Sequence, residues 1–375
     1  MNWNPIWNQA VTKPLAKGMM SGKNKTIVFQ VQSPLDGEKI RIKFTNLYGK
    51  KAYQIGAVSI VSQGHIIPVT KDGKVVFDIQ IGEQGFSDEI PVSISAGEKI
   101  EIRIYYKSKI MDCNMTEENA VAYPGDVTNR SILPSLETPD YKQKYGVYDE
   151  VVAISQIELF SENASKVIVA FGDSITAMNR WVKPLQRRLY EIYGEKYILM
   201  NAGINGNCLL YEAPGFAAES YGEKGINRFE RDVLCFENLS AVIIGLGVND
   251  VAYYTRKTEH EINFQRFTEE VTKMILMLRE RGVRVIIQTL SPRKGYPQVE
   301  YTKNMEMLRT EINEWIRSTD ICDYVFDADA VVRNPKMPDC YLEEFHQGDY
   351  LHPNHKGGQA LADAYDLKKL TGSEM

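Results

Sequence analysis

Val167-Ile168-Val169-Ala170-Phe171-Gly172-Asp173-Ser174-Ile175 is an apolar run that stops abruptly at a glycine, an acid and a serine. A short continuous apolar run rich in β-branched residues reads as a strand buried on both faces. Gly172 permits a sharp turn, so the spacing predicts Ser174 where the strand ends and a helix can begin. Backbone N–H groups at such a turn point outward and carry the positive end of the helix dipole. Acyl transfer needs donors there, because the oxygen that becomes negative can rest on them. A serine that merely caps a helix would give the same tetrapeptide, so the reading depends on what else the chain brings to that place.

Three other segments supply it. Tyr197-Ile198-Leu199-Met200 runs into Asn201-Ala202-Gly203-Ile204-Asn205-Gly206-Asn207, and Ala241-Val242-Ile243-Ile244-Gly245-Leu246 runs into Gly247-Val248-Asn249-Asp250. Near the C-terminus stands Gly348-Asp349-Tyr350-Leu351-His352-Pro353-Asn354. In an open parallel sheet the carboxyl ends of the strands share one rim, and ligands bind in the crevice there. A serine, a glycine turn, an asparagine amide and an Asp-x-x-His pair are expected to converge from four distant parts of the chain. Together they form the minimum kit for serine acyl hydrolysis: nucleophile, base, base-orienting carboxylate and oxyanion donors.

Gly-Asp-Ser-Ile, Asn-Ala-Gly-Ile-Asn-Gly, Gly-Val-Asn-Asp and Asp-Tyr-Leu-His-Pro-Asn resemble the four blocks of the SGNH (GDSL) hydrolases, in the same order, from about Lys166 to the C-terminus. The first block has Ile175 where the family name has leucine, a harmless change at an apolar position. The resemblance implies Ser174 as nucleophile, His352 as general base and Asp349 as the carboxylate that orients the imidazole. It implies an oxyanion hole of the Ser174 and Gly206 backbone N–H groups and the Asn249 side-chain amide. More loosely, the whole chain is similar to SGNH esterases that carry an N-terminal β-domain, some of which deacetylate plant polysaccharides such as xylan.

Each residue also has a plainer reading. Asn249 and Asp250 could form an Asx turn after a strand, Gly203 and Gly206 could serve turn geometry alone, and Asp349 could cap the last helix. His346 and His355 compete with His352 for the base, but only His352 follows an aspartate by three residues within the block. A Gly-x-Ser-x-Gly elbow is excluded by Thr176. Gly245-Leu246-Gly247 lacks the third glycine of a dinucleotide fingerprint, since Asp250 stands there. No Cys/His cluster has zinc spacing, and neither cofactor nor metal is expected. Cys113, Cys208, Cys235, Cys322 and Cys340 are scattered singly, which predicts buried free thiols in a reducing compartment.

The chain has 375 residues, a length for two domains or one large one, and with 43% of them hydrophobic and 25% charged it can bury ordinary globular cores. A net charge of −5 argues against a nucleic-acid surface and against attraction to anionic lipid. No apolar run approaches a membrane span. Met1-Asn2-Trp3-Asn4-Pro5-Ile6-Trp7 has neither the basic nor the apolar region of a secretory leader, so a cytoplasmic protein is expected, or a secreted one whose leader is already removed.

Before Lys166 the texture changes. Lys39-Ile40-Arg41-Ile42-Lys43-Phe44 and Lys99-Ile100-Glu101-Ile102-Arg103-Ile104 alternate charged and apolar residues, the pattern of strands with one wet face. Residues 26–32, 57–62, 74–79, 90–94 and 154–160 read similarly, separated by turn signals such as Asp36-Gly37 and Asp72-Gly73. The expectation is an all-β sandwich or jelly roll over residues 1–162, joined by Ser161-Glu162-Asn163-Ala164-Ser165 to a hydrolase domain over 163–375. Residues 107–150 have little period and several tyrosines, the mark of a tethering excursion or of a segment that shapes the substrate cleft. Beyond the linker, strands alternate with amphipathic helices at 181–193, 261–281, 303–317 and 356–370, and further strands fall at 284–290 and 323–326. The fold class is therefore α/β, flavodoxin-like, with a five-stranded parallel sheet.

The expected activity is hydrolysis of short-chain esters, acetyl above all, with O-acetyl groups on carbohydrates as the favoured substrates. A short-chain arylesterase and a sugar acyltransferase are the alternatives among enzymes. A catalytically silent carbohydrate-binding protein is the alternative of another class. The expected partner is an acetylated oligosaccharide or another small ester, with no nucleic acid and no membrane; the oligomeric state is open.

Overall fold

Alternating residues in the N-terminal part become strands that bury one face. The computed structural model describes residues 2–13, 23–108, 120–135, 152–215, 218–254 and 264–373. The chain divides into two compact units, Met1–Ala164 and Ser165–Met375.

In the first unit the strands are β1 (Asn2–Asn8), β2 (Lys25–Gln32), β3 (Gly37–Thr45), β4 (Tyr53–Ser62), β5 (His65–Pro68), β6 (Phe77–Ile79), β7 (Gln84–Phe86), β8 (Ile90–Ile94), β9 (Lys99–Tyr106), β10 (Val121–Pro124) and β11 (Ile154–Ser161). They form two antiparallel sheets, one ordered β1-β11-β3-β7 with β8 also on β3, the other β10-β2-β9-β4-β5 with β6 also on β4. The sheets meet face to face through apolar side chains: the Trp7 and Phe29 rings are 5.6 Å apart, and those of Phe44 and Phe77 are 5.1 Å apart. Ile40, Ile42 and Phe44 are fully buried while Lys39, Arg41 and Lys43 between them are half-buried, as a period of two requires. The strands β1, β5, β7 and β10 carry too little alternation to stand out in the sequence.

Arg103 breaks the rule. It lies on the polar side of β9 yet is buried, because the segment after β10 covers it and its Nη1 donates to the carbonyl oxygens of Val127, Thr128 and Arg130. This part of the aperiodic 107–150 stretch is thus tied to the β unit. Residues 109–119 and 136–151, with Cys113 and Tyr141, Tyr145 and Tyr148, lie outside the described residues.

In the second unit, β12 (Lys166–Gly172), β13 (Tyr197–Gly203), β14 (Leu239–Gly245), β15 (Arg284–Gln288) and β16 (Tyr324–Phe326) form one parallel sheet ordered β13-β12-β14-β15-β16. Numbered within the unit that order is 2-1-3-4-5, the flavodoxin-like one, with its switch point between β12 and β14. The register pairs Gly172 with Gly203 on one side and Gly245 on the other, so three strands end level. Val167 to Phe171 are all buried, each apolar side chain larger than alanine contributing about 1.5–3 kcal/mol. A further antiparallel pair, β17 (Arg333–Asn334) and β18 (Met337–Tyr341), lies beyond the sheet.

The helices are α1 (Ser174–Ala177), α2 (Val182–Tyr193), α3 (Gly225–Asp232), α4 (Val248–Tyr254), α5 (Phe264–Glu280), α6 (Lys303–Ser318), α7 (Ala328–Val332), α8 (His355–Ala364) and α9 (Leu367–Thr371). Two expectations are corrected here. The helix expected over 356–370 is two helices, because Tyr365 is extended and Asp366 caps a new start by accepting from the Lys368 and Lys369 N–H groups. The serine opens only a single turn, and the longer helix begins at Val182, so the dipole of a long helix is not behind Ser174.

That single turn packs against the end of β13 without room to spare. A Cβ at Gly203 would meet three backbone atoms: Ala177 N at 2.3 Å, Ala177 Cα at 2.8 Å and the Asp173 oxygen at 2.9 Å. Gly203→Ala should therefore lower stability by about 1–3 kcal/mol through overpacking. Thermal unfolding that matches the parent protein would contradict this close packing.

Candidate active site

Ser174 follows β12 directly, and Asp173 fixes the turn: its carboxylate accepts from the Ile175 N–H at 3.0 Å. Asp173 is fully buried, and that burial, outweighing the hydrogen bond, pushes its pKa up to about 6. Ser174 itself is 7% exposed. Its Oγ lies 2.7 Å from His352 Nε2, although 178 positions separate the two residues. On the far side of the ring, His352 Nδ1 is 2.7 Å from Asp349 Oδ2. A proton on Nδ1, held by Asp349, leaves Nε2 as the acceptor for the serine hydroxyl; this tautomer is assigned from the network.

Asp349 is strongly committed. Oδ1 accepts from the Leu351 N–H at 3.1 Å and the His352 N–H at 2.9 Å, and Oδ2 also accepts from the Gln347 side-chain amide at 3.1 Å. Partial burial raises its pKa, but the bonds from the His352 ring and backbone prevail and hold it well below the usual carboxylate range. Asp349 caps no helix; Asn354 caps α8 instead, accepting from the Gly357 N–H at 2.9 Å. Of the rival histidines, His355 pairs with Arg180 through Nε2, and His346 lies buried in the neck of the Asp349 loop.

The other two segments stand beside this chain of bonds. Asn249 is buried at the start of α4, and its Nδ2 donates one hydrogen to the Asn207 carbonyl oxygen at 3.0 Å. A carboxamide nitrogen carries a second N–H for another acceptor. Gly206 has φ +71°, and a Cβ there would meet the Tyr221 ring at 2.5 Å, so both conformation and space demand glycine. Asp250, next to Asn249, accepts from the Leu209 N–H at 2.7 Å and the Leu210 N–H at 2.9 Å. It is no simple turn residue. Complete burial raises its pKa to about 7 despite those two bonds.

A serine hydroxyl bonded to an imidazole that is bonded in turn to a carboxylate can lose its proton as the oxygen attacks an acyl carbon. Among the described residues no group of three or more His, Cys, Asp or Glu side chains could hold a metal ion.

The sequence model of the GDSL-like lipase/acylhydrolase family matches residues 170–360, just over half of the chain. The chain belongs to this family. Solved structures similar to this GDSL-like hydrolase include a GDSL-like lipase from Bacteroides thetaiotaomicron VPI-5482, with 18% identity, 53% of this chain and 85% of that chain covered, and a TM-score of 0.38. Another is the acetyl xylan esterase AlAXEase, with 21% identity, 53% and 96% covered, and a TM-score of 0.38. A third is TesA, with 20% identity, 53% and 95% covered, and a TM-score of 0.39. A search of curated proteins found no match.

Three residues of the site had no motif to announce them. Arg293 is buried after β15; its Nη1 donates to the Val248 carbonyl oxygen at 2.9 Å, and its guanidinium lies 5.3 Å from the centroid of Tyr296. Tyr296 in turn meets the His352 ring edge-on at 5.8 Å. Burial lowers the Arg293 pKa and raises that of Tyr296 to about 12, so the GDSL-like hydrolase keeps the Tyr296 phenol neutral at physiological pH. Arg228 is fully buried under the rim. Nη2 donates to the Gly172 oxygen at 2.9 Å, Nη1 to the Ala202 oxygen at 2.8 Å, and Nε to Asn207 Oδ1 at 3.0 Å. The carbonyl acceptors leave no trace in the sequence. A buried cation reached only through folding looks, in a linear chain, like any surface arginine.

The thiols need one correction. Cys208 is buried, and burial pushes its pKa well above the usual thiol value, but Cys235 is exposed and Cys322 and Cys340 are half-buried. All four are free.

Removing Arg228 would take away the buried donors to the Gly172 and Ala202 oxygens and to Asn207 Oδ1, while Asp232 would keep Arg231, whose Nε lies 2.8 Å from its Oδ1. A buried acceptor left without its donor costs about 1–3 kcal/mol, so Arg228→Leu should lose at least that much in denaturant unfolding. A loss below 1 kcal/mol would show that the rim is held by something else.

Proposed function

We propose that this member of the GDSL-like family is a serine esterase that hydrolyses short-chain esters, with O-acetyl groups on carbohydrates as its substrates. The observation that carries the reading is the hydrogen-bonded series Ser174–His352–Asp349, with both links at 2.7 Å. In this reading Ser174 Oγ attacks the ester carbonyl carbon while His352 Nε2 takes the hydroxyl proton. Asp349 holds the ring and favours the imidazolium that forms. The Ser174 and Gly206 N–H groups and the Asn249 amide receive the oxyanion. The imidazolium then protonates the departing alcohol, and His352 draws a proton from water to release the acid.

The choice of a hydrophilic substrate is supported by the polar-tipped aromatic residues around the serine, Tyr296 beside His352 and Tyr221 over Gly206. It is supported also by the likeness to SGNH esterases with an appended β-domain, which is an association at the level of fold. The free thiols fit work in the cytoplasm. Among the described residues no helix is long and apolar enough to cross a membrane.

Covalent labelling by a fluorophosphonate probe separates this enzyme from a silent carbohydrate-binding protein. The parent chain should label and Ser174→Ala should not; equal labelling of both, or of neither, would end the proposal. Asn249→Ala should lower turnover about a hundred- to a thousand-fold while the thermal transition is retained, and unchanged turnover would remove Asn249 from the oxyanion hole. Acetate release from acetylated xylan and mannan oligomers, set against nitrophenyl esters of rising chain length, tests the substrate class. Faster cleavage of long acyl chains would refute it.

A further inference from the structure

The loop that carries Asp349 and His352 is closed on itself. The Asn354 N–H donates to the Phe345 oxygen at 2.8 Å, the Gln347 N–H donates to the His352 oxygen at 3.0 Å, and His346 forms a lone bridge with Pro353. Between these ties the backbone must turn tightly, and Tyr350 takes the left-handed conformation with φ +63°. A non-glycine residue at positive φ persists only where its surroundings hold it there.

What holds it is a second buried imidazole. The His346 ring folds into the loop, and its Nδ1 accepts from the Gly348 N–H at 3.0 Å and the Tyr350 N–H at 3.1 Å. Tyr350 lays its ring on that of His346 at 4.4 Å. Asp349 Oδ1 takes the next two N–H groups, those of Leu351 and His352. Four backbone donors are thus divided between two side chains, His346 and Asp349. Nδ1 can accept two N–H groups only while it is unprotonated, so the proton sits on Nε2. That atom is buried with no hydrogen-bond partner among the described residues, and Glu343 Oε2 lies 3.5 Å away. The other titratable groups against the ring are Tyr341, at 6.0 Å between centroids, and Tyr350.

We propose that His346 is a positioning residue: as an acceptor for two N–H groups of the loop, it sets the turn that aims the Asp349 carboxylate at His352 Nδ1. The inference rests on the Ser174–His352–Asp349 reading. His346 touches none of the reacting atoms and acts only through Asp349.

Two variants separate acceptor from ring. His346→Phe keeps a planar ring against Tyr350 and removes the acceptor; His346→Asn loses the ring but places a carboxamide oxygen near the position of Nδ1. With a nitrophenyl acetate substrate, His346→Phe should lose roughly ten- to a hundred-fold in kcat, since displacement of a catalytic group by about 1 Å can cost a hundred-fold; KM should change little. The acidic limb of kcat/KM should move to lower pH, because a withdrawn carboxylate no longer favours the imidazolium of His352. His346→Asn should restore most of the turnover and the parent pH profile.

A folded His346→Phe with parent kcat and profile would overturn the proposal. So would His346→Asn if it were as impaired as His346→Phe. If His346→Phe does not fold, His346→Asn decides: parent turnover and profile support the acceptor role, and their loss in a folded protein refutes it. Fluorophosphonate labelling of the parent chain guards the premise: failure there would strike at the proposed function rather than at His346.

Discussion

One buried cation ties the rim of the candidate site together. The Arg228 guanidinium lies over the Phe171 ring, its central carbon 4.2 Å from the centroid, and reaches the Gly172 and Ala202 carbonyls and the Asn207 side chain at once. Those three acceptors belong to the turn before Ser174, the end of β13 and the turn after Gly206. Placing a charge in an apolar interior costs several kcal/mol. Asp232 offsets part of that cost, and burial still lowers the arginine to about 10, which leaves it charged at neutral pH. Only a planar donor with five N–H groups can serve so many directions from one site; a lysine ammonium in that place would leave carbonyls unpaired.

Around this tie the rim is a layer of buried polar groups on an apolar sheet. Asp173 fixes the serine turn, Asp250 holds the Leu209–Leu210 backbone, Arg293 braces the Val248 carbonyl before Asn249, and His346 shapes the histidine loop. Each segment of the candidate site is thus held from behind by a charged or polar side chain outside the Ser174–His352–Asp349 series. Positions set by hydrogen bonds in a low-dielectric interior are stiffer than positions set by apolar contact alone, because a misaligned buried donor has no water to turn to. Asp173 and Asp250 are both pushed upward by burial, and Asp250 is pushed further by the charge of Asp173. Their two backbone-facing carboxyls and the two buried arginines make the floor of the site an electrostatic unit.

Much of this was legible beforehand. The four motif segments, the parallel sheet with its short crossovers and the alternating strands of the first unit all follow from local pattern. Such pattern is local because strand and helix periods repeat within ten residues. Less legible were β1, β5, β7 and β10, whose burial is set by what lies across from them, and the break at Asp366, where a cap wins over helical spacing. Arg228 and Arg293 were passed over for the same reason, and His346 was weighed only as a rival base. Their partners are backbone carbonyls and N–H groups far away or around a turn, and a backbone group has no letter in a sequence.

The sequence by itself determined the chemistry available: a serine after a buried strand, an Asp-x-x-His pair, an amide and a glycine turn, in an order that matches one family. Tertiary structure alone decided that Ser174 Oγ and His352 Nε2 stand 2.7 Å apart, that His352 rather than His346 or His355 faces the serine, and that Asp349 is turned toward the ring. The division has a physical cause. Residue type and spacing fix which groups exist and which strand end each occupies, whereas their meeting depends on strand register and loop closure, and both are summed over contacts between residues far apart in the chain.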